Sequence, residues 1–155
     1  MSATPSLTSG PVRRPTSLNK KFSEALADES KAPPTLKTIG MHLVKCGDGT
    51  ATITLNADRR FHNPMGTLHG GVMTDLADAC IGIATMTTLA DGESFTTLEV
   101  KMNFLRPVVE GVLRAEAKVV HRGRTVAMTE VVLKNHEGKD VARGTATQMV
   151  LRTGR

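Results

Sequence analysis

The chain has 155 residues, room for one domain with an appended arm, and its 39% hydrophobic content is enough for a soluble core. No apolar run approaches the roughly 20 residues of a membrane-spanning helix. Four Phe are the only aromatics (3%), which argues against a base-stacking nucleic-acid platform. The net charge is +5 and the pI about 9.6, but short clusters such as Arg13-Arg14, Lys20-Lys21 and Arg122-Gly-Arg124 aside, the basic residues are scattered. They suit a nucleotide-bearing substrate, or simply a solvated basic surface, as well as they suit nucleic acid.

Residues 1–16 are rich in Ser, Thr and Pro and offer little to bury, so a flexible arm is expected. Arg13-Arg14 is followed by no apolar stretch, so no secretory leader is expected and the cytoplasm is the default location. Leu18, Phe22, Ala25 and Leu26 then fall on one helical face behind Ser17, predicting a short docking helix over 17–29. Pro33-Pro34 stops it. The expected division is an N-terminal arm at 1–33 and one domain at 34–155.

From Gly40 onward the pattern is α+β. Met41 to Lys45 and Ala51 to Leu55 flank Gly47-Asp48-Gly49, a hairpin signal. A long helix is predicted from Gly70 to about Leu89. Four strands with period-2 alternation follow. In the first, Leu98, Val100, Met102 and Phe104 are expected on one face, opposite Thr97, Glu99, Lys101 and Asn103. Leu113, Ala115, Ala117 and Val119 form the apolar face of the second. Thr125 to Leu133 and Val141 to Leu151, joined by Asn135-His-Glu-Gly138, complete the set. Such patterning predicts an antiparallel sheet of five to six strands with one face buried, covered by the single long helix.

Residues 63–78 carry the chemistry: Asn63-Pro-Met-Gly66-Thr-Leu-His69-Gly70-Gly71, then a helical stretch holding Asp75 and Asp78. Gly70 and Gly71 leave backbone N–H groups bare at a helix start, where an anion or a developing oxyanion is welcome. Asp78 sits among Met73, Leu76, Ala77, Cys80, Ile81 and Ile83, a setting that desolvates a carboxylate and raises its basicity. Asp75, nearer the positive helix end, is read as a structural dipole partner. His69 is expected to fix the loop and the substrate rather than to act as the base. His62, His69 and Asp78 have no zinc-like spacing, and Cys46 and Cys80 have neither CxxC nor disulfide-framework spacing.

Asn63-x-x-Gly66-x-x-His69-Gly70-Gly71-x6-Asp78 resembles the motif of hotdog-fold acyl-CoA thioesterases, in particular the phenylacetate-pathway, PaaI-like branch of the 4-hydroxybenzoyl-CoA thioesterase superfamily. Thr97-x6-Phe104-Leu105-Arg106-Pro107 and His121-Arg-Gly-Arg-Thr125 extend the resemblance over about residues 34–151. It implies a hotdog fold that hydrolyses an aryl-acyl or medium-chain acyl-CoA to the free acid and coenzyme A. Gly70 N–H would polarise the thioester carbonyl, and Asp78 would be base or nucleophile. Asn63, His69 and Thr97 would orient carbonyl and water. Gly71, Arg106, Arg122, Gly123, Arg124 and Thr125 would meet the coenzyme A arm. No cofactor or metal is expected, coenzyme A being part of the substrate.

Gly70 and Asp78 are eight residues apart on one helix, roughly 12 Å at 1.5 Å per residue. One thioester carbon does not meet both, so either Asp78 comes from a second chain or one of the two is not catalytic. The resemblance implies the former, through antiparallel helices in a dimer or a dimer of dimers (a homotetramer), with neither nucleic acid nor membrane as partner. Two alternatives keep the fold: a non-catalytic acyl-CoA-binding or regulatory module, and a hydratase. The first has no need of Asn63, Gly70 and Asp78 together, and the second calls for a His–carboxylate pair closer than nine residues.

Overall fold

The computed structural model describes Glu24 and residues 28–152. Of the expected arm at 1–33, residues 1–23 and 25–27 lie outside them, and with these most of the helix expected over 17–29. A short helix α1 (Pro34–Ile39), started by proline at its first position and closed by Gly40 in the left-handed region (φ 83°), leads into the sheet.

Strands β1 (Met41–Gly47) and β2 (Thr50–Ala57) form the expected hairpin. Its two loop residues, Asp48 (φ 48°) and Gly49 (φ 74°), both take positive φ, the conformation whose twist matches the flanking strands. The long helix α2 (Gly70–Met86) follows, then β3 (Glu93–Phe104), β4 (Gly111–Arg122), β5 (Val126–Lys134) and β6 (Asp140–Arg152). The strands form one six-stranded sheet in the order β1-β2-β4-β5-β6-β3, every neighbouring pair antiparallel. The chain therefore leaves β2, runs through α2 to the far edge at β3, and returns to place β4 beside β2.

The helix lies in the hollow of the sheet. Met73, Leu76, Ala77, Cys80, Ile81 and Ala84 pack against Ile53 and Leu55 of β2, Leu113 and Ala115 of β4, Val131 and Leu133 of β5, and Ala142 and Ala146 of β6. Small residues in the last strand let sheet and helix approach. At Gly144 a β-carbon would stand 2.3 Å from Met102 Sδ and 2.8 Å from the Lys101 carbonyl, so only glycine fits there. The Cys80 thiol, fully buried and pushed up to about 12 by burial, is an inert part of this core.

The helix ends at Met86, three residues short of the predicted Leu89. The Thr87 and Thr88 hydroxyls donate to the Ala84 and Thr85 carbonyls (2.7 Å each), meeting the orphan acceptors of the last turn. A second departure shapes the site. The β3–β6 register slips between Thr97 and Glu99, leaving Leu98 as an extra residue. This β-bulge reverses the predicted alternation: Phe95 and Thr97 face the helix together with Val100 and Met102, while Leu98 is 56% exposed. Among the described residues no helix is long and apolar enough to cross a membrane.

Candidate active site

The loop before α2 is built by its own polar side chains. Asn63 Oδ1 accepts from the N–H groups of Met65 (2.9 Å) and Thr67 (3.3 Å), and Asn63 Nδ2 donates to Thr67 Oγ1 (2.9 Å). A Gly66 N–H bond to the Asn63 carbonyl (3.0 Å), with Gly66 at φ 76°, closes the turn. Asn63 is thus first of all the organiser of this loop. An isolated bridge between His62 and Leu68, and the Leu68 N–H bond to the Val108 carbonyl (2.7 Å), anchor it to the body.

His69 is the N-cap of α2. Its Nδ1 accepts from Gly71 N–H (2.9 Å), so the neutral ring carries its proton on Nε2. The Gly71 amide is therefore engaged. Gly70 N–H has no protein acceptor among the described residues and opens the positive end of a 17-residue helix. The Phe104 ring lies on Gly70, with Cζ 3.2 Å and Cε2 3.3 Å from where a β-carbon would be. Around this point is a groove of about 360 Å³ lined by Asn63, Leu68, Met73, Phe104, Leu105 and Arg106 among others. Met65 (82% exposed), Phe104 and Leu105 leave apolar surface open there. The Arg106 guanidinium at the rim bonds to the Asp140 carbonyl.

Asp78 lies two turns along α2, partly buried, with Thr97 Oγ1 donating to its Oδ1 at 3.5 Å. The bulge at Leu98 is what turns the Thr97 hydroxyl to this side. Burial holds the Asp78 carboxyl above the ordinary carboxylate range. The charge of Asp75 pushes it the same way, and the Thr97 hydrogen bond opposes them. A raised, partly accessible carboxyl beside a hydroxyl is suited to act as a base.

The turn Arg122-Gly123-Arg124-Thr125 lies elsewhere. It is at the C-terminal end of α2, where Leu89, Ala127 and Val150 cluster with Met86 and Phe95. Sixteen helical steps, about 24 Å, separate that end from Gly70. Arg122 is not free there: its guanidinium pairs with Glu93, whose side chain is 8% exposed, and donates to the Gly123 carbonyl. Arg124 and Thr125 are exposed. One chain thus brings together Asn63, His69, Gly70, Gly71 and Arg106 at one end of the helix and Asp78 with Thr97 in its middle. The remaining four residues are at the other end.

The sequence reading did not anticipate Phe104 as the wall over Gly70, having placed it in the apolar row of β3. It also missed Gln148, fully buried on the inner face of β6 directly opposite Thr97. The signal for Gln148 was present: a polar residue at an inward position between Ala146 and Val150.

Against known proteins, residues 65–142 match the family model described as Thioesterase superfamily. The chain is 30% identical over 101 residues to the proofreading thioesterase EntH of Cronobacter turicensis, covering 65% of this chain and 74% of that one. It is 29% identical over 103 residues to the 1,4-dihydroxy-2-naphthoyl-CoA hydrolase of Listeria monocytogenes, covering 66% and 84%. Among solved structures, a phenylacetic acid degradation-related protein from Ralstonia eutropha superposes with a TM-score of 0.76. It is 34% identical, with 83% of this chain and 98% of that one covered.

Proposed function

The chain belongs to the thioesterase superfamily and is a thioester hydrolase of the PaaI-like hotdog fold; from that premise we propose that it hydrolyses an acyl-CoA, aryl-acyl or medium-chain, in a site shared by two chains. The observation that carries this reading is the pairing on one helix of a Gly70 N–H with no acceptor among the described residues and a raised carboxyl at Asp78.

The carbonyl oxygen of the thioester accepts from Gly70 N–H, where the helix end stabilises the charge that develops as the carbonyl carbon becomes tetrahedral. Asp78 of the partner subunit takes the proton of the attacking water, or attacks the carbonyl itself through an anhydride; both routes use the same carboxylate. Thr97 holds that carboxylate by its hydroxyl. His69 fixes the helix start and keeps its Nε2 free of that bond to meet the substrate, and Asn63 shapes the loop that walls the groove. The coenzyme A thiolate is a good leaving group, so collapse of the intermediate needs no dedicated acid.

Two antiparallel α2 helices that set Asp78 of one level with Gly70 of the other also relocate the basic turn. The partner's helix end is then only about 12 Å along the axis from Gly70, against about 24 Å for the chain's own. Arg124 and Thr125 of the partner, with Arg106 at the rim of the groove, receive the nucleotide arm. The groove suits an acyl group through Met65, Met73 and Leu105, flexible enough to fit varied shapes, and through the Phe104 ring, which offers a face to an aromatic acyl group. The naphthoyl-CoA relative from Listeria supports the aryl-acyl reading.

The test is a panel of aryl-acyl-, medium-chain and short-chain acyl-CoA substrates, with coenzyme A release followed by a thiol-reactive dye. Release from the aryl-acyl or medium-chain members is expected. Absence of release from every acyl-CoA in the panel contradicts the proposal.

A further inference from the structure

A buried polar seam runs through the core beneath α2. Thr85 on the helix, Thr129 on β5 and Gln148 on β6 are all fully buried. Thr85 Oγ1 and Thr129 Oγ1 are 3.0 Å apart, and Thr129 Oγ1 donates to Gln148 Oε1 at 3.3 Å. Because Thr129 gives its only proton to Gln148, the proton between the two hydroxyls belongs to Thr85. The seam therefore has a direction, from Thr85 through Thr129 to Gln148.

It stops there in an unpartnered donor: Gln148 Nε2 is buried and has no hydrogen-bond acceptor. A buried amide N–H left without an acceptor is destabilising, so its retention calls for a reason. Gln148 stands directly opposite Thr97 on the neighbouring strand, and both side chains face the helix. Opposed residues of an antiparallel pair have β-carbons about 5 Å apart, within reach of a glutamine side chain. Thr97, in turn, donates its own proton to Asp78.

We propose that Gln148 is a positioning residue for Asp78: its Nε2–H donates through one bridging water to Thr97 Oγ1, and so locks the Thr97 hydroxyl into donating to the carboxylate. Thr97 Oγ1 has one proton and two lone pairs. A donor on its far side leaves the proton no better direction than Asp78. Every member of the row then donates toward a group that only accepts, an arrangement in which successive hydrogen bonds strengthen one another. The charged form of Asp78 gains, which moderates the effect of burial without removing it.

Few other charges face Asp78. Asp75 lies one turn back on α2 and raises its pKa. Glu93, at the start of β3, is neutralised by Arg122. The inward residues that β1, β2, β4, β5 and β6 turn to the helix are uncharged. The reading rests on Asp78 as the catalytic base.

Gln148 is the only glutamine in the chain, so one selective ¹⁵N label on glutamine side chains reports it without ambiguity. In the wild-type protein its side-chain amide signals should titrate with the same midpoint as the acid limb of the kcat/KM profile. In Asp78→Asn that titration should vanish. Gln148→Met, of similar length but apolar, should move the acid limb up by about one pH unit, an approximately tenfold loss on that limb, because the Thr97 hydroxyl is then free to turn its proton away from the carboxylate. Gln148→Met also leaves the buried Thr129 hydroxyl without its acceptor, so a lower Tm is expected and does not bear on the proposal. Amide signals that ignore pH in the wild type overturn the proposal even if Gln148→Met fails to fold. So does an unmoved acid limb in folded Gln148→Met. Full hydrolysis by Asp78→Asn is a different result: it overturns the assignment of the base.

Discussion

The Phe104 ring rests on Gly70, its Cζ 3.2 Å from where a β-carbon on that residue would stand. Gly70→Ala is therefore expected to push the half-exposed ring across the open N–H, lowering kcat by roughly tenfold or more, the scale of a lost oxyanion donor being about 10²–10³. Gly70 is the first helical residue and the displaced ring is half exposed, so Tm should change little. Steady-state kinetics alongside a melting curve check both. A fall in Tm with kcat unchanged would make Gly70 a packing residue only.

The Arg122–Glu93 pair changes what the basic turn is expected to do. With Arg122 21% exposed and Glu93 8% exposed, Arg122→Ala leaves a largely buried carboxylate whose other ion-pair partner is Arg152, at 3.6 Å. The expected cost is about 1–3 kcal/mol, between the values for exposed and buried pairs, read as a lower urea midpoint. Arg124→Ala should leave stability alone and raise KM for acyl-CoA while sparing acyl-pantetheine thioesters. Equal KM effects on both substrates would place Arg124 outside the nucleotide site.

Asp78 should make the protein less stable as it ionises. Its pKa in the fold lies above the ordinary 3.8, chiefly through burial. The unfolded chain therefore releases the proton first, and the contribution to stability is complete below about pH 3.8 and lost as pH rises through the higher folded value. Asp78→Asn is expected to raise Tm at pH 7, with the gain closing as pH falls toward 4, and to lower hydrolysis by about 10²–10⁴-fold. Asp75→Asn should do much less to hydrolysis. Melting curves at several pH values, with activities at pH 7, test the set. A Tm gain that persists at low pH would give the asparagine effect another origin.

The fold was legible because its signals are local. Gly47-Asp48-Gly49 demanded a tight turn, Gly70 to Met86 kept one face apolar throughout, and Leu113, Ala115 and Ala117 alternated without a break. What was not legible depends on partners distant in sequence. The bulge at Leu98 is set by pairing with β6, and strict alternation put Thr97 on the wrong face, so only the family resemblance suggested it for the site. The pairing of Arg122, expected at the phosphates or the pantetheine arm, was not legible because nothing nearby announces Glu93, 29 residues earlier. Asn63 was expected to orient carbonyl and water; its part in closing the loop was written in Gly66 and Thr67, three and four residues on. Gln148 was visible as an inward polar residue, but its relation to Thr97 exists only across two strands.

The central claim is that each site takes Gly70 from one chain and Asp78 from another, since about 12 Å of helix separates them within one chain. Two impaired proteins, Gly70→Val and Asp78→Asn, should complement when unfolded and refolded together. Each mixed dimer then has one site with both defects and one with neither, giving activity up to about a quarter of wild type per total site under random pairing. Mixed dimers that form, shown by mass spectrometry of differently tagged chains, yet remain as inactive as their parents would contradict the shared site.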